Sequence, residues 1–296
     1  MDIENNYYKV LDHGYVALVD FMGGDQMIEK CARQSYIPGT RDKTDTRKLI
    51  RHLVREHHTS PFECTEFHFQ MALPLFVQAQ LVRTRTANIS QYSGRYAVMP
   101  EMYYEPKEWR LQSKENKQGS ASEELDVSKS AHADSMLAWV RYTAEHAYKV
   151  LLDFGVAKEL ARMVLPQNLY TYWHFKIDAH NLMHLLKLRT DPHTQWETRQ
   201  YASIMAAIFQ QLCPITFEAW MDYQYYAVTL SKKDRELLHE LLKTIKKEDW
   251  FVMHDTPREL HDFLKKIDPP DETSFSLPEY LSAQEVEANI QEALQR

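Results

Sequence analysis

Residues able to bind anions and read the edge of a heterocycle gather in one stretch of this 296-residue chain: Arg83-Thr84-Arg85-Thr86-Ala87-Asn88-Ile89-Ser90-Gln91-Tyr92-Ser93-Gly94-Arg95-Tyr96. Arginine offers a planar fork of donors that matches phosphate and carboxylate. Ser, Asn and Gln can take either hydrogen-bonding role, which suits a ring carrying both donors and acceptors. An ion-paired surface turn is the plain alternative, since exposed charges often pair to little effect.

Other polar clusters surround this stretch in the sequence. His57-His58-Thr59-Ser60-Pro61-Phe62 stands where a helix hands over to a strand; it reads either as a helix-terminal histidine favoured by the dipole or as a ligand contact through one His and Ser60. His180 and His184 lie four apart, on one helical face, and with His193 they have zinc-ligand types, but no HExxH accompanies them. Neutral hydrogen-bonding histidines beside a cofactor are the preferred reading, and no metal site is expected. Arg189 precedes Thr190-Asp191-Pro192-His193-Thr194-Gln195-Trp196-Glu197, and taken alone it either pairs with Asp191 or faces a ligand; Arg162, before Leu165-Pro166-Gln167-Asn168, similarly reads as a surface cation or a ligand contact. Cys213 sits in an apolar setting, where a thiol is an inert small hydrophobe, and no GxSxG occurs. With no nucleophile and no evident carboxylate pair, the remaining polar groups bind and orient, leaving the hard chemistry to a cofactor.

The rest of the chain must position these groups. Its length accommodates one large domain or two modest ones. Seven glycines, with no GxGxxG and no GxxxxGK[ST], exclude a Rossmann turn or a P-loop as the nucleotide holder. A formal charge of −7 argues against a general nucleic-acid binder while leaving room for a small anion held by local arginines. Three widely spaced cysteines suggest neither a disulfide framework nor a CxxC metal site. Met1 to Asn6 lacks the features of an export signal, and no apolar run approaches eighteen residues, so a soluble cytoplasmic protein is expected.

Hydrophobic periodicity predicts a strand over Gly14 to Asp20, then a helix carrying Ile28, Cys31 and Ala32. Thr44 or Asp45 caps a second helix with Leu49, Ile50, Leu53 and Val54 on one face, stopped by Pro61. Alternation from Phe62 to Met71 predicts a half-buried strand, and Pro74 opens a helix running through Arg83, so that Arg83 to Tyr96 falls in a polar loop. Residues from about 101 to 130 read as an exposed insertion. A long helix follows from about Ser130 to Leu152, then a helical segment from Val156 to Val164, and a central strand from Asn168 to Lys176. Asp178 caps the next helix; further helices span Asp191 to Leu212 and Thr216 to Tyr226. Beyond Ser231, Leu237, Leu238, Leu241, Leu242 and Ile245 make an amphipathic helix, Asp268 to Asp271 a linker, and Ser282 to Leu294 a last helix. The expected organisation is a catalytic domain over 1–230 and an appended helical tail over 231–296.

The central stretch resembles the signature of the flavin-dependent thymidylate synthases, Arg-His-Arg, seven residues, then Ser: here Arg83-Thr84-Arg85 is followed at that spacing by Ser93-Gly94-Arg95. Three other stretches agree in order and spacing, namely Gly14 to Gly23, His58 to Glu63, and Asn168-Leu169-Tyr170-Thr171 leading to Leu188 through Glu197. The resemblance implies an α+β fold, mainly an antiparallel sheet flanked by helices, assembled as a homotetramer with active sites between subunits. It implies FAD as cofactor, NADPH and methylenetetrahydrofolate as co-substrates, and methylation of dUMP at C5. By the same resemblance dUMP meets Gln80, Arg83, Gln91, Tyr92, Ser93, Gly94, Arg95, Arg162 and Arg189, with Arg189 as the catalytic cation that favours ionisation of the uracil ring. FAD meets His58, Ser60, Arg83, Thr84, Arg85, Gln91, Asp178, His180 and His184.

The signature is altered inside its frame: Thr84, Asn88, Ser90 and Gln91 stand where the family carries His, Ser, Asn and Glu. Thr84 removes a titratable aromatic group, and Gln91 replaces a carboxylate with an amide of similar reach. These four changes keep two alternatives beside dUMP methylation. One is the same chemistry on UMP or dCMP, or hydroxymethylation at C5; the other is a catalytically silent nucleotide-binding homologue.

Overall fold

Strict alternation of large apolar and polar side chains makes two strands whose one face can only be buried. In β3 (Glu66–Pro74) these are Phe67, Phe69, Met71 and Leu73; in β7 (Tyr170–Asp178) they are Trp173, Phe175 and Ile177, and all seven are fully buried. The computed structural model describes residues 6–34, 45–114, 119–234, 236–238, 280–282, 284–286, 288 and 291–292. Within them β3 and β7 pair antiparallel from Glu66↔Asp178 to Pro74↔Tyr170. β2 (Gly14–Met22) pairs with the other edge of β3, β1 (Tyr7–Val10) with β2, and β4 (Asn88–Gln91) with β7. Tyr280–Leu281 (β8) pairs with β1, giving the order β4-β7-β3-β2-β1-β8 with every pairing antiparallel.

One face of this sheet is the main core. Against Phe67, Phe69, Trp173 and Phe175 pack α2 (Thr46–Arg55), α7 (Ala179–Arg189), α8 (Trp196–Leu212) and α9 (Pro214–Trp220), whose Ile50, Leu182, Leu186, Met205, Phe209 and Trp220 are fully buried. Each such side chain contributes roughly 1.5–3 kcal/mol of burial. Asp25, the first residue of α1 (Asp25–Ala32), ties the helices together by accepting from the backbone N–H groups of Ile215 and Thr216 at the start of α9, 2.8 and 3.0 Å away. The opposite face divides in two. Tyr15, Ala17, Ala72 and Tyr170 are covered by Met102, Tyr104 and Val286, whereas Glu66, His68, Gln70, His174 and Lys176 stay half-buried and polar, with a His68–His174 hydrogen bond of 3.0 Å. Burial, then the neighbouring His68, lowers the pKa of His174 and favours its neutral form.

The α+β fold with an antiparallel sheet and flanking helices matches the expectation, and several boundaries differ for identifiable reasons. Pro61 does not stop α2. That helix closes itself: His57, with φ of 58°, donates to Val54 O, and His58 donates to Leu53 O, the paired bonds of a left-handed C-terminal cap. Pro61 instead sits in the first turn of α3 (Ser60–Glu63), where its missing N–H costs nothing, so Phe62 is helical and the strand starts at Glu66. Pro74 is the last residue of β3 and the extended N-cap of α4 (Leu75–Leu81), which ends before Arg83. The segment from Val156 to Val164 breaks into α6 (Lys158–Ala161) and a 3-10 turn at Arg162–Val164, and the helix expected from Asp191 begins at Trp196.

The stretch from 101 to 130 is not uniformly exposed. Met102, Tyr103 and Tyr104 are buried, and a two-stranded ribbon of β5 (Arg110–Gln112) and β6 (Ser120–Glu124) leads into α5 (Val127–Asp153). In the region after Ser231, residues 232–234 and 236–238 are helical, as are 284–286, 288 and 291–292. Leu241, Leu242, Ile245 and the Asp268–Asp271 linker lie outside the described residues.

Left-handed backbone at a residue with a Cβ carries a penalty of roughly 1–2 kcal/mol that glycine escapes. His57→Gly is therefore expected to raise stability by about 1 kcal/mol, read as a higher Tm by calorimetry. An unchanged or lower Tm would refute the cap assignment.

Candidate active site

The altered stretch is not a plain loop. After α4, backbone bonds from Thr84 to Leu81 O and from Ala87 to Thr84 O turn the chain back. Asn88 to Gln91 then adds to the exposed edge of β7 as β4, with Ser90 opposite His174 and Gln91 opposite Trp173. Half-buried Ile89 packs on the main core and anchors the strand, while Asn88, Ser90 and Gln91 remain exposed. Past the strand, Tyr92 N–H donates to Tyr172 O, and Tyr96 and Ala97 donate to Ser93 O, so the signature ends in a tight turn.

Gly94 sits at the heart of that turn and is buried. A Cβ there would lie 2.6 Å from Met99 Sδ and 3.1 Å from Arg162 Cδ, so the absence of a side chain lets Arg162 cross the turn closely. Arg162 is itself exposed. Its guanidinium, with those of Arg83 and Arg85, has no ion-pair or hydrogen-bond partner among the described residues. Arg95 pairs with Glu159 at 3.2 Å, both more than half exposed, a contact worth at most about 1 kcal/mol and easily exchanged for a phosphate.

Arg189, the last residue of α7, is half-buried. It does not pair with Asp191, which accepts from the backbone and ring of His193 instead. Its Nη2 donates to the carbonyl oxygen of Gln80 at 3.0 Å. Burial lowers its pKa, yet a guanidinium remains a cation in a protein. Gln80 is held in turn: its amide nitrogen donates to Gln195 Oε1 and its amide oxygen accepts from Thr198 Oγ1 at 3.0 Å. Gln91 lies between Gln78, which donates to its amide oxygen at 3.3 Å, and Thr171, which accepts from its amide nitrogen at 3.2 Å. Neither Thr198 nor the role of Gln195 is legible in the sequence; the one signal is that Gln195 lies within the Arg189 run, as the N-cap of α8, and Thr198 directly follows it in the first turn.

The family model for thymidylate synthase complementing proteins matches residues 17–215. The chain belongs to this family. Among curated relatives, a flavin-dependent thymidylate synthase of Thermus thermophilus is 45% identical over 233 residues, 79% of this chain and 85% of that protein. That of Dictyostelium discoideum is 41% identical over 242 residues, 78% of each. A solved UMP/dUMP methylase, PolB from Streptomyces cacaoi bound with 5-Br UMP, superposes with a TM-score of 0.66 at 30% identity, covering 74% of this chain and 98% of that one.

The remaining residues that family resemblance assigns to the flavin lie at the other end of the sheet. α3, which starts at Ser60, packs against α7, which carries the half-buried His180 and the exposed His184; His58, two residues before α3, is exposed. Asp178 is engaged locally: its two carboxylate oxygens accept from Asn181 N and Nδ2 at 2.9 and 2.6 Å, capping α7. His193 is exposed beside Asp191, and among the described residues no three His, Cys, Asp or Glu side chains gather as metal ligands. The donor set, with its imidazoles, hydroxyls and the unpartnered guanidiniums of Arg83 and Arg85, fits a ring system joined to a diphosphate.

Overpacking a tight contact costs about 1–3 kcal/mol. Gly94→Ala is expected to weaken binding of a uridine monophosphate roughly tenfold or more by displacing Met99 and Arg162. Calorimetric titration measures this directly, and unchanged affinity would remove Gly94 and Arg162 from the nucleotide site.

Proposed function

We propose that the protein methylates dUMP at C5 to give dTMP, taking the one-carbon unit from methylenetetrahydrofolate and the reducing equivalents from NADPH by way of FAD. What carries this reading is Arg189, a half-buried cation anchored through one N–H to the Gln80 carbonyl, with its other donors unpartnered among the described residues. A fixed guanidinium against the uracil ring favours loss of the N3 proton and concentrates charge that makes C5 nucleophilic, an effect strengthened where water is scarce. Arg83, Arg95 and Arg162 supply cationic groups for the phosphate. Tyr92, Ser93 and Gly94 shape the turn around it.

The flavin, when bound, supplies the electron transfer that no side chain here can perform. His58, Ser60, Arg83, Thr84, Arg85, Gln91, Asp178, His180 and His184 are the residues assigned to hold it. A thiol nucleophile has no support in the geometry: Cys213 is buried, which pushes its thiol up, and the Cys64 thiol is also raised, first by Cys31 and then by burial. A homotetramer with active sites shared between subunits belongs to the same reading. Exposed Met136, Trp139, Val140 and Tyr142 on α5 support it, since among the described residues only Ala144 and Tyr148 of that 27-residue helix are buried. A cytoplasmic location and the absence of nucleic-acid or membrane partners complete it.

UMP as an additional substrate is the second reading. A specific observation favours it: two solved neighbours, structures of the Streptomyces cacaoi protein, are named UMP/dUMP methylase and were determined with 5-Br UMP and 5-Br dUMP.

Mass spectrometry of the products from dUMP, UMP and dCMP, each with FAD, NADPH and methylenetetrahydrofolate, tests both. Formation of dTMP is expected, and its absence would overturn the main reading. Arg189→Ala should keep FAD and lower turnover by roughly 10²–10³, the scale of removing one preorganised charge-stabilising group; retained turnover would refute its role.

A further inference from the structure

Gln80 has a feature that its place in the nucleotide site does not by itself require: both ends of its amide are held from a different helix. The amide oxygen accepts from Thr198 Oγ1 at 3.0 Å, and Thr198 is fully buried. The amide nitrogen donates to Gln195 Oε1. Gln195 is the N-cap of α8, yet its side chain makes no capping bond and is turned to Gln80 instead. With the Thr198 hydroxyl donating to its oxygen and the Gln195 amide oxygen accepting from its nitrogen, the Gln80 amide is held at both ends; turning it over requires the Gln195 amide to turn as well and the Thr198 hydroxyl to accept. The backbone oxygen of the same residue holds Arg189.

That turn of α8 is fastened from outside. Glu197 is 3% exposed, and its Oε1 accepts from Tyr104 Oη at 3.1 Å and from Arg110 Nη2. Arg110 opens the β5–β6 ribbon, its guanidinium lies 5.0 Å from the Trp196 ring centre, and its Nε bonds Ser120 Oγ across the ribbon. Breaking a buried ion pair at one side strands the other charge, so Arg110 and Glu197 hold the ribbon and the first turn of α8 as one unit.

We propose that Thr198 and Gln195 are positioning residues that set the orientation of the Gln80 amide and, through the Gln80 carbonyl, the placement of Arg189, and that Arg110 of the ribbon keeps this turn in register. The proposal rests on the reading that Gln80 and Arg189 face the nucleotide. It gives the region between 101 and 130 a part in nucleotide binding without direct contact.

The test uses the full-length, FAD-loaded protein with dUMP as the probe. Thr198→Val keeps the volume and loses the hydroxyl; Thr198→Ser keeps the hydroxyl and loses a methyl. A positioning role predicts a dUMP Kd raised about tenfold in the valine variant, the scale of one hydrogen bond, and restored to within about twofold in the serine variant. A packing role predicts the reverse order, and that order would overturn the proposal. Arg110→Met should weaken dUMP several-fold alone and add nothing to Thr198→Val, since both act through Gln80; additive effects would remove Arg110 from the chain of contacts. Gln80→Leu separates the two levels. If it weakens dUMP while Thr198→Val does not, the positioning proposal falls alone; if it leaves dUMP binding intact, the nucleotide-site reading of Gln80 falls and the proposal with it.

Discussion

The nine-residue antiparallel pairing of β3 with β7 is the constraint on which the site depends. Because the two strands run in opposite directions, β3 delivers α4 at the Pro74–Tyr170 end, and β7 delivers α7 at the Glu66–Asp178 end. The eleven residues of α7 then return along the sheet by about 16 Å. Its last residue, Arg189, comes back beside α4, and the Arg189–Gln80 bond closes the circuit. A one-residue slip of β7 against β3 would turn Trp173, Phe175 and Ile177 out of the core while Phe67 and Phe69 stayed in it, so hydrophobic burial fixes the register and, with it, the position of the cation.

The same pairing leaves the outer edge of β7 open, and the altered signature fills it. β4 is short and carries one apolar side chain, Ile89, between the polar Asn88 and Ser90. Three of the four departures from the family pattern, Asn88, Ser90 and Gln91, therefore lie on this edge strand. Thr84 lies in the turn before it. The backbone pairing is indifferent to these identities, and the arginine frame on either side keeps its spacing. The overall charge is −7, yet Arg83, Arg85 and Arg95 lie close in sequence, and the fold sets Arg162 against Gly94 and Arg189 against the Gln80 carbonyl.

Much of this was legible in the chain itself. Alternation in β3 and β7, the Asp45 and Asp178 caps, and the face of α2 follow from side-chain pattern alone, and the structure shows Asp45 accepting from Lys48 N at 3.1 Å. The spacing of Arg83, Arg85 and Ser93, with three further stretches in order, carried the resemblance to the family, and the resemblance implied the fold class. What was not readable depends on partners distant in sequence. The edge strand β4 forms because β7 offers unpaired groups, His57 closes α2 through backbone geometry, and Met102 to Tyr104 are buried by Tyr15 and Tyr170 or beside Tyr148. Thr198 and Gln195 gain meaning only once α4 lies against α8.

The central proposal is that the Arg83-to-Arg95 stretch at the β4 edge meets both nucleotide and flavin, the flavin reaching from there to the residues at the other end of the sheet. The most direct measurement is the absorbance of the flavin in the FAD-loaded full-length protein during titration with dUMP, alongside calorimetry of the same titration. A shared site predicts a saturable change in the flavin spectrum with the same midpoint as the heat. Binding of dUMP that leaves the spectrum untouched, or no binding, would contradict it.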